Sequence, residues 1–281
     1  MQTDKNDSTD VVEKIEIDLL LSAVSRYYGY DFSNYSKAHI KRRILGFLGK
    51  QRYTSISEMQ HHVLHNSSIF EEFLNNFSIN VTEMFRDPSF YLEFRNKVIP
   101  ILKTYPYLKI WLAGCSTGEE VYSFAIMLKE EGLLDRTTIY ATDFNKDAIQ
   151  KAKKAIYSID TIKTYTSNYQ KAGGTCSFSD YYMANYNSVI IDKSLKQNVV
   201  YAQHNLVTDG VFTEANLIVC RNVLIYFNRE LQDKVLKLFD ETLITGGFLT
   251  LGTKETIQFS GITNKFSTIS KNNKIFKKTS I

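Results

Sequence analysis

With 281 residues, 43% of them hydrophobic and 13% aromatic, the chain can bury a core large enough for one main domain and a small companion. A formal net charge of +4 is mild, permitting an acidic partner without demanding nucleic acid. Cys115, Cys176 and Cys220 are odd in number and widely spaced, which points to reduced thiols in a cytoplasmic protein and away from a disulfide framework.

Met1–Asp10 is polar and acidic, so residues 1–12 are expected to be disordered and not to form a signal peptide. Asp18 and Ser22 interrupt the apolar run Ile15–Leu21, and no run reaches the length of a membrane span. Residues 13–76 read as an all-α helical domain. Ile15, Leu19, Ser22 and Ala23 give one partly apolar face, and Ile40, Ile44, Phe47 and Leu48 give a clearer one. Further helices are expected over Ser57–Leu64 and Ile69–Phe77. Lys37, Lys41, Arg42, Arg43, Lys50 and Arg52 share a window without acids. Such a run is commonly a solvated face, but its density favours docking against an acidic surface, with Lys41, Arg42 and Arg43 as the docking residues. Gly46 and Gly49 each cost roughly 1 kcal/mol relative to alanine, so this helix is expected to end or fray there. His61, His62 and His65 lie at helical spacing without a cysteine or carboxylate at ligand distance, so they read as surface histidines and no metal is expected.

Residues 77–90 read as a linker that carries Asn80, Thr82 and Arg86, with Pro88 opening the next helix. From residue 107 onward β-like runs (108–113, 137–142, 198–203, 216–220, 247–252, 273–277) alternate with helical ones (119–131, 145–156, 228–243). This alternation predicts an α/β domain over 91–281, with a doubly wound, mostly parallel sheet. Residues 157–197 depart from it with a helix at Thr161–Tyr169, a Gly173-Gly174 turn and a β-like Tyr181–Ile191. They are expected to form a small antiparallel β insertion. The lysines of 271–278 are assigned to the exposed side of an edge strand.

Residues 110–122, Ile-Trp-Leu-Ala-Gly-Cys-Ser-Thr-Gly-Glu-Glu-Val-Tyr, carry the strongest functional signal. An apolar strand runs into a turn with Gly114 and Gly118, and a helix then opens on Glu119 and Glu120. Glycine lets a ligand approach the backbone closely. The two acids disfavour a pyrophosphate at the helix N-terminus and suit a cationic ligand carrying a ribose. S-adenosylmethionine fits that description. Asp143 closes the second strand, 29 positions after Gly114 (143 − 114). It is placed to bind ribose hydroxyls, although it or Asn145 could instead cap the next helix.

Three further segments make the pattern specific: Asn80-Val-Thr-Glu-Met-Phe-Arg86, Ala141-Thr-Asp143 and Cys220-Arg-Asn-Val-Leu-Ile-Tyr-Phe227. Together with Ser116–Ser123 they resemble the CheR family, the S-adenosylmethionine-dependent protein-glutamate O-methyltransferases of chemosensory systems. The resemblance runs from about Ile15 to Phe276. It implies that Arg86 and Tyr226 border the reacting methyl group. It also implies that Asn80, Thr82, Arg86, Gly114, Glu119, Asp143, Asn205, Leu206, Arg221 and Asn222 line the cofactor site, with S-adenosylhomocysteine as product. Glu119 is then directed to the methionine end or the ribose, unless it serves only the helix dipole. Arg221 gains nothing from a sulfonium and could act through its backbone. Cys115 and Cys220, at strand ends, read as packing residues. The implied partner is a chemoreceptor's cytoplasmic helix rich in glutamates, met by a cytoplasmic, monomeric enzyme that neither enters the membrane nor binds nucleic acid. Some relatives hold the receptor's C-terminal peptide through an enlarged, glycine-containing loop. Here Asn185-Tyr186-Asn187 is short and free of glycine, so no such tether is expected.

Glutamate is ionised at neutral pH, so methyl transfer to it needs positioning and no general base. Base methylation is disfavoured, because Pro88, Pro100 and Pro106 adjoin neither another proline nor a cysteine. A non-catalytic module that senses S-adenosylmethionine is the other alternative.

Overall fold

The computed structural model describes residues 3–77 and 82–279. The chain divides into two compact units, one of Met1–Ile79 with Tyr226–Gln232, the other of Asn80–Ile225 with Asp233–Ile281. Among the described residues no helix is long and apolar enough to cross a membrane.

The helical unit holds α1 (Thr3–Tyr28), α2 (Lys37–Gln51), α3 (Ile56–His65) and α4 (Ser67–Phe77). Helix α1 begins inside the segment expected to be disordered. No glycine or proline interrupts it before Gly29, which takes φ 78° and ends it. Its buried stripe is Ile17, Leu20 and Val24, whereas Ile15 and Leu19 are exposed. Because 15–21 is apolar on more than one side, spacing alone allowed either stripe. Packing on α3 selects one, with the Tyr28 hydroxyl donating to the Val63 carbonyl at 2.9 Å. Helix α2 buries Ile40, Ile44 and Phe47 and continues through Gly46 and Gly49 to a left-handed Arg52. Burying three such side chains is worth about 1.5–3 kcal/mol each, more than the two glycines cost.

The second unit contains α5 (Pro88–Lys97), α6 (Ile99–Leu102), β1 (Leu108–Ala113), α7 (Glu119–Glu130), β2 (Thr137–Asp143), α8 (Lys146–Lys154), β3 (Ile156–Ser158), α9 (Ile162–Lys171), β4 (Tyr182–Asn185), β5 (Ser188–Ile191), β6 (Val199–Gln203), β7 (Ala215–Cys220), β8 (Leu243–Leu251), β9 (Phe266–Ser270) and β10 (Ile275–Lys278). Helix α10 (Arg229–Thr242) precedes β8. The main sheet has the order β6-β2-β1-β7-β8-β10-β9, parallel except where β10 pairs antiparallel with β8 and β9. A second, antiparallel sheet has the order β3-β5-β4. This is the doubly wound α/β architecture with its small insertion. The order runs outward on both sides of β1 and β7, so their carboxyl ends form the crevice where ligands of such sheets bind.

Strands β3 and β9 were not expected from the sequence. One has three residues, and the other, Phe-Ser-Thr-Ile-Ser, is polar at three of its five positions and lies at the sheet edge. The edge is therefore β9 and not the lysine-bearing β10. Lys278 is buried, with its ammonium 3.1 Å from the Asp240 carboxylate and donating to the Asp240 and Leu243 carbonyls.

The insertion packs Tyr165, Tyr169, Phe178 and Tyr181 into the core, and one carboxylate ties several of its polar groups there. Glu130 accepts from Arg95, from the Tyr169 and Tyr181 hydroxyls and from the Thr175 amide. Burial opposes its ionisation, but these donors hold the carboxyl below its usual range. Such a group stabilises the fold above its unfolded pKa, and that contribution is lost as pH falls through its depressed folded value. Glu130→Ala should cost about 1–3 kcal/mol, because the Tyr169 and Tyr181 hydroxyls and one arm of the Arg95 guanidinium lose their acceptor, while Glu131 still pairs with the other arm at 3.0 Å. Urea unfolding at neutral pH checks the size, and the gap from wild type should narrow as the solution is acidified below the carboxylate range. A loss under about 1 kcal/mol would show that the carboxylate does not tie the insertion down.

Candidate active site

After β1 the chain turns through Gly114, Ser116 and Gly118, with φ 79°, 49° and 95°. A Cβ on Gly114 would lie 2.5 Å from Val223 Cγ2, and one on Gly118 2.8 Å from Ala152 Cβ. Glycine is thus required at both positions by conformation and by space. The Gly114 and Cys115 amides donate to the Thr142 carbonyl at 2.8 and 2.9 Å, which lays the turn along the end of β2. Cys115 and Cys220 are both buried there, and burial pushes each thiol well up, as suits packing residues.

Asp143 is buried at that strand end. Its Oδ2 accepts the Ser116 amide and its Oδ1 the Asn145 amide, both at 2.9 Å. Burial pushes its carboxyl up, and the amides of Asn145, Ser116 and Phe144 oppose the shift. The cap of α8 is Asn145, whose side chain accepts from the Asp147 and Ala148 amides, so Asp143 is not needed for capping. The His204 amide donates to the Asp143 carbonyl at 3.1 Å. This brings the following Asn205–Asp209 turn alongside. Asn205 closes it by accepting from the Val207 amide at 3.0 Å, and Leu206 is buried.

Glu119 is also buried, accepting from Thr117 Oγ1 at 2.6 Å. Burial, against that hydrogen bond, raises its carboxyl to about 7. With Thr117, Lys151, Tyr157 and Tyr165 it lines a cavity of about 230 Å³. The segment before α5 is tied to the same helix: the Phe85 amide donates to Ser123 Oγ at 2.8 Å, and Ser123 Oγ to the Glu119 carbonyl at 2.7 Å. Phe85 and Asp87, on either side of Arg86, have φ 53° and 58°. Left-handed residues of this kind cost roughly 1–2 kcal/mol each.

The Arg221 guanidinium is engaged by protein groups, donating to Glu120 and Asp87 at 2.8 Å and lying 4.1 Å from the centre of the Phe90 ring. The Asn222 amide donates to Glu255 at 3.0 Å, as does the Val223 amide at 2.9 Å. Thr82 is half-buried, and Asn80 lies outside the described residues. Thus Arg86, Gly114, Glu119, Asp143, Asn205, Leu206, Arg221 and Asn222 all occupy the carboxyl ends of β1, β2, β6 and β7 or the segment fastened to α7.

Lys41, Arg42, Arg43 and Tyr226 belong to the helical unit. The Tyr226 ring lies 4.7 Å from that of His39, and the Tyr226 carbonyl accepts from the Ser36 amide at 2.8 Å. Lys41 forms an ion pair with Glu13 at 2.5 Å, Arg42 is exposed, and Arg43 is half-buried. The basic window therefore borrows an acid from α1, which its own composition did not reveal.

Sequence reasoning missed Asp87, Ser123 and Glu255, and it read Glu120 with Glu119 as an acid for the ligand, whereas Glu120 pairs with Arg221. Asp87 adjoins an expected site residue, which was a usable signal. Ser123 was not singled out within its motif, and Glu255 lies far from every motif.

Residues 15–78 match the all-alpha domain of CheR methyltransferases, and residues 80–275 match their S-adenosylmethionine-binding domain. The chain belongs to the CheR methyltransferase family. A Pseudomonas putida protein named as a candidate methyltransferase, Cher3, is 51% identical over 265 residues, spanning 94% of this chain and 97% of that one. The chemotaxis protein methyltransferase of Listeria monocytogenes is 31% identical over 236 residues, 83% of this chain and 87% of the relative. Among solved structures, the N-methyltransferase NodS of Bradyrhizobium japonicum in complex with S-adenosyl-L-homocysteine has a TM-score of 0.35 and 13% identity, over 61% of this chain and 63% of that one.

This CheR-family chain is a methyltransferase dependent on S-adenosylmethionine. The donor set fits that cofactor: Asp143 and Glu119 are buried acids suited to ribose hydroxyls and cationic groups, and the turn between them excludes side chains. Because the Glu119 carboxyl is raised when folded, its contribution to stability is complete below the unfolded pKa and lost as pH rises through about 7. A cation bound beside it should pull that titration down. Cofactor binding near pH 6 should then release a proton, seen in calorimetry as an enthalpy that differs between buffers of unequal ionisation heat. Glu119→Gln should abolish the difference, and a buffer-independent enthalpy for the unaltered chain would place the cation elsewhere.

Proposed function

We propose that this CheR-family chain transfers the methyl group of S-adenosylmethionine to glutamate side-chain carboxylates on cytoplasmic helices of a chemoreceptor, leaving a methyl ester and S-adenosylhomocysteine. The observation that carries the reading is an acid-lined glycine turn without a proton-abstracting pair. Among the described residues no histidine is hydrogen-bonded to a carboxylate, and His204 Nε2 is taken by the Gly210 carbonyl at 3.1 Å. An acceptor that is already an anion needs no such pair. The naming of the Listeria relative as a chemotaxis protein methyltransferase supports the same acceptor.

When bound, S-adenosylmethionine supplies a methyl carbon activated by its sulfonium. Asp143 holds the ribose, Glu119 the cationic end, and Asn205 with Leu206 flanks the adenine. Thr82 completes the cofactor wall, and Asn222 contributes through its braced backbone. Arg86 borders the reacting atoms and orients the acceptor oxygen. Alignment of this kind can supply about 7–11 kcal/mol of barrier reduction. The enzyme acts as a cytoplasmic monomer. Docking falls to the basic face of α2, chiefly Arg42, since Lys41 already has an acid partner. Strands β4 and β5 are joined by a tight turn at Tyr186 (φ 50°) without glycine, so no peptide tether is assigned to it.

Incubation with methyl-labelled S-adenosylmethionine and receptor cytoplasmic fragments tests the proposal. Label should enter the receptor and be released as methanol by base, while Arg42→Glu should slow transfer about tenfold with cofactor affinity unchanged. Base-stable label, or transfer to nucleic acid instead, would overturn the assignment of the acceptor.

A further inference from the structure

Arg221 is the buried centre of an ionic cluster that the transfer chemistry itself does not use. Its side chain is 2% exposed. Nη1 donates to Glu120 Oε1 and Nη2 to Asp87 Oδ2, each at 2.8 Å. Both nitrogens also reach the Arg86 carbonyl, at 3.3 and 3.4 Å. Phe90 closes one face of the guanidinium plane. The group thus joins three places that are remote in sequence: the end of β7, the first turn of α7 and the Phe85–Asp87 turn.

That last turn needs outside support. Residues other than glycine leave the left-handed region unless their surroundings hold them there. Phe85 and Asp87 both occupy it, and Arg86 stands between them. On one side the Phe85 amide is held by Ser123, and the Asn168 amide group donates to the Met84 carbonyl at 3.1 Å. On the other side, Arg221 donates to the Arg86 carbonyl and to the Asp87 carboxylate. Glu120 stops the guanidinium from following the turn if it relaxes. A planar fork can satisfy a carbonyl and two carboxylates at fixed angles, and a lysine ammonium cannot.

We propose that Arg221, Asp87 and Glu120 are positioning residues, which hold the Phe85–Asp87 turn left-handed and so set the point from which the Arg86 side chain enters the active site. This rests on the placement of Arg86 beside the reacting methyl group. It replaces a direct cofactor contact by the Arg221 guanidinium with an action through its neighbour.

A double-mutant cycle separates positioning from general stability. Asp87→Asn, Glu120→Gln and Arg86→Ala are made singly, and each of the first two is combined with Arg86→Ala. Two quantities are read: turnover with receptor cytoplasmic fragments, and the dissociation constant of S-adenosylhomocysteine, which needs no acceptor. Asp87→Asn and Glu120→Gln should each impair whichever quantity Arg86→Ala impairs, by about tenfold or more in turnover. In the Arg86→Ala background the same changes should have less than about a twofold effect, because there is no side chain left to position. Arg221→Lys, which keeps the charge and loses the fork, should reproduce the single-variant losses while melting as a folded protein. Losses that add in full to those of Arg86→Ala would overturn the positioning role while leaving Arg86 in the site. If Arg86→Ala changes neither quantity, the placement of Arg86 and the proposal fall together.

Discussion

Backbone amides from two different turns converge on one buried carboxylate, that of Asp143. This convergence fixes the β1–α7 turn against the β2–α8 turn before any ligand arrives. A carboxylate offers about four lone-pair directions, so the amides leave capacity for donors from a ligand. Burial disfavours the charge that they stabilise, and additional donors would relieve that conflict. The geometry is preorganised for hydroxyl groups, as a ribose presents them. The glycines on the same turn follow from this constraint, since a Cβ at either would displace the backbone that carries the Ser116 amide.

The charges around this point are sorted by task. Glu119 is buried, and burial raises its carboxyl against the hydrogen bonds from the Thr117 hydroxyl and its own amide. Its neighbour Glu120, one residue on and so turned to another side of the helix, is ion-paired with Arg221. Adjacent acids of one motif therefore sit in different surroundings, one beside a threonine hydroxyl at the glycine turn and one in the scaffold's ion pair. Glu255 acts in a third way: its carboxylate gathers the amides of Asn222, Val223, Ile225 and Gly252 and shapes the loop after β7.

Much of this was legible in the sequence, because it depends on local rules. The strand, the two glycines, the paired acids and the acid closing the second strand announce the crevice. Alternation of strands and helices announces the sheet. What stayed hidden depends on contacts between remote segments. Nothing near Glu255 indicates that the amides after β7 will meet it, and nothing near Lys278 indicates that Asp240 will bury it. The apolar run 15–21 offered two stripes, and only α3 decides between them. The acid-free window of α2 looked uniformly available, but Glu13 comes to it from another helix. The short strands β3 and β9 exist because a neighbour pairs with them, not because of their own composition.

The central claim is that the Asp143-braced turn is the seat of the adenosyl ligand. A structure of the chain with bound S-adenosylhomocysteine tests this most directly. The account predicts ribose hydroxyls within hydrogen-bond distance of the Asp143 carboxylate, the amino-acid end of the ligand beside Glu119, and an Arg221 guanidinium still paired with Asp87 and Glu120. A ligand whose ribose lies away from Asp143, with the Ser116 amide released from that carboxylate, would contradict it.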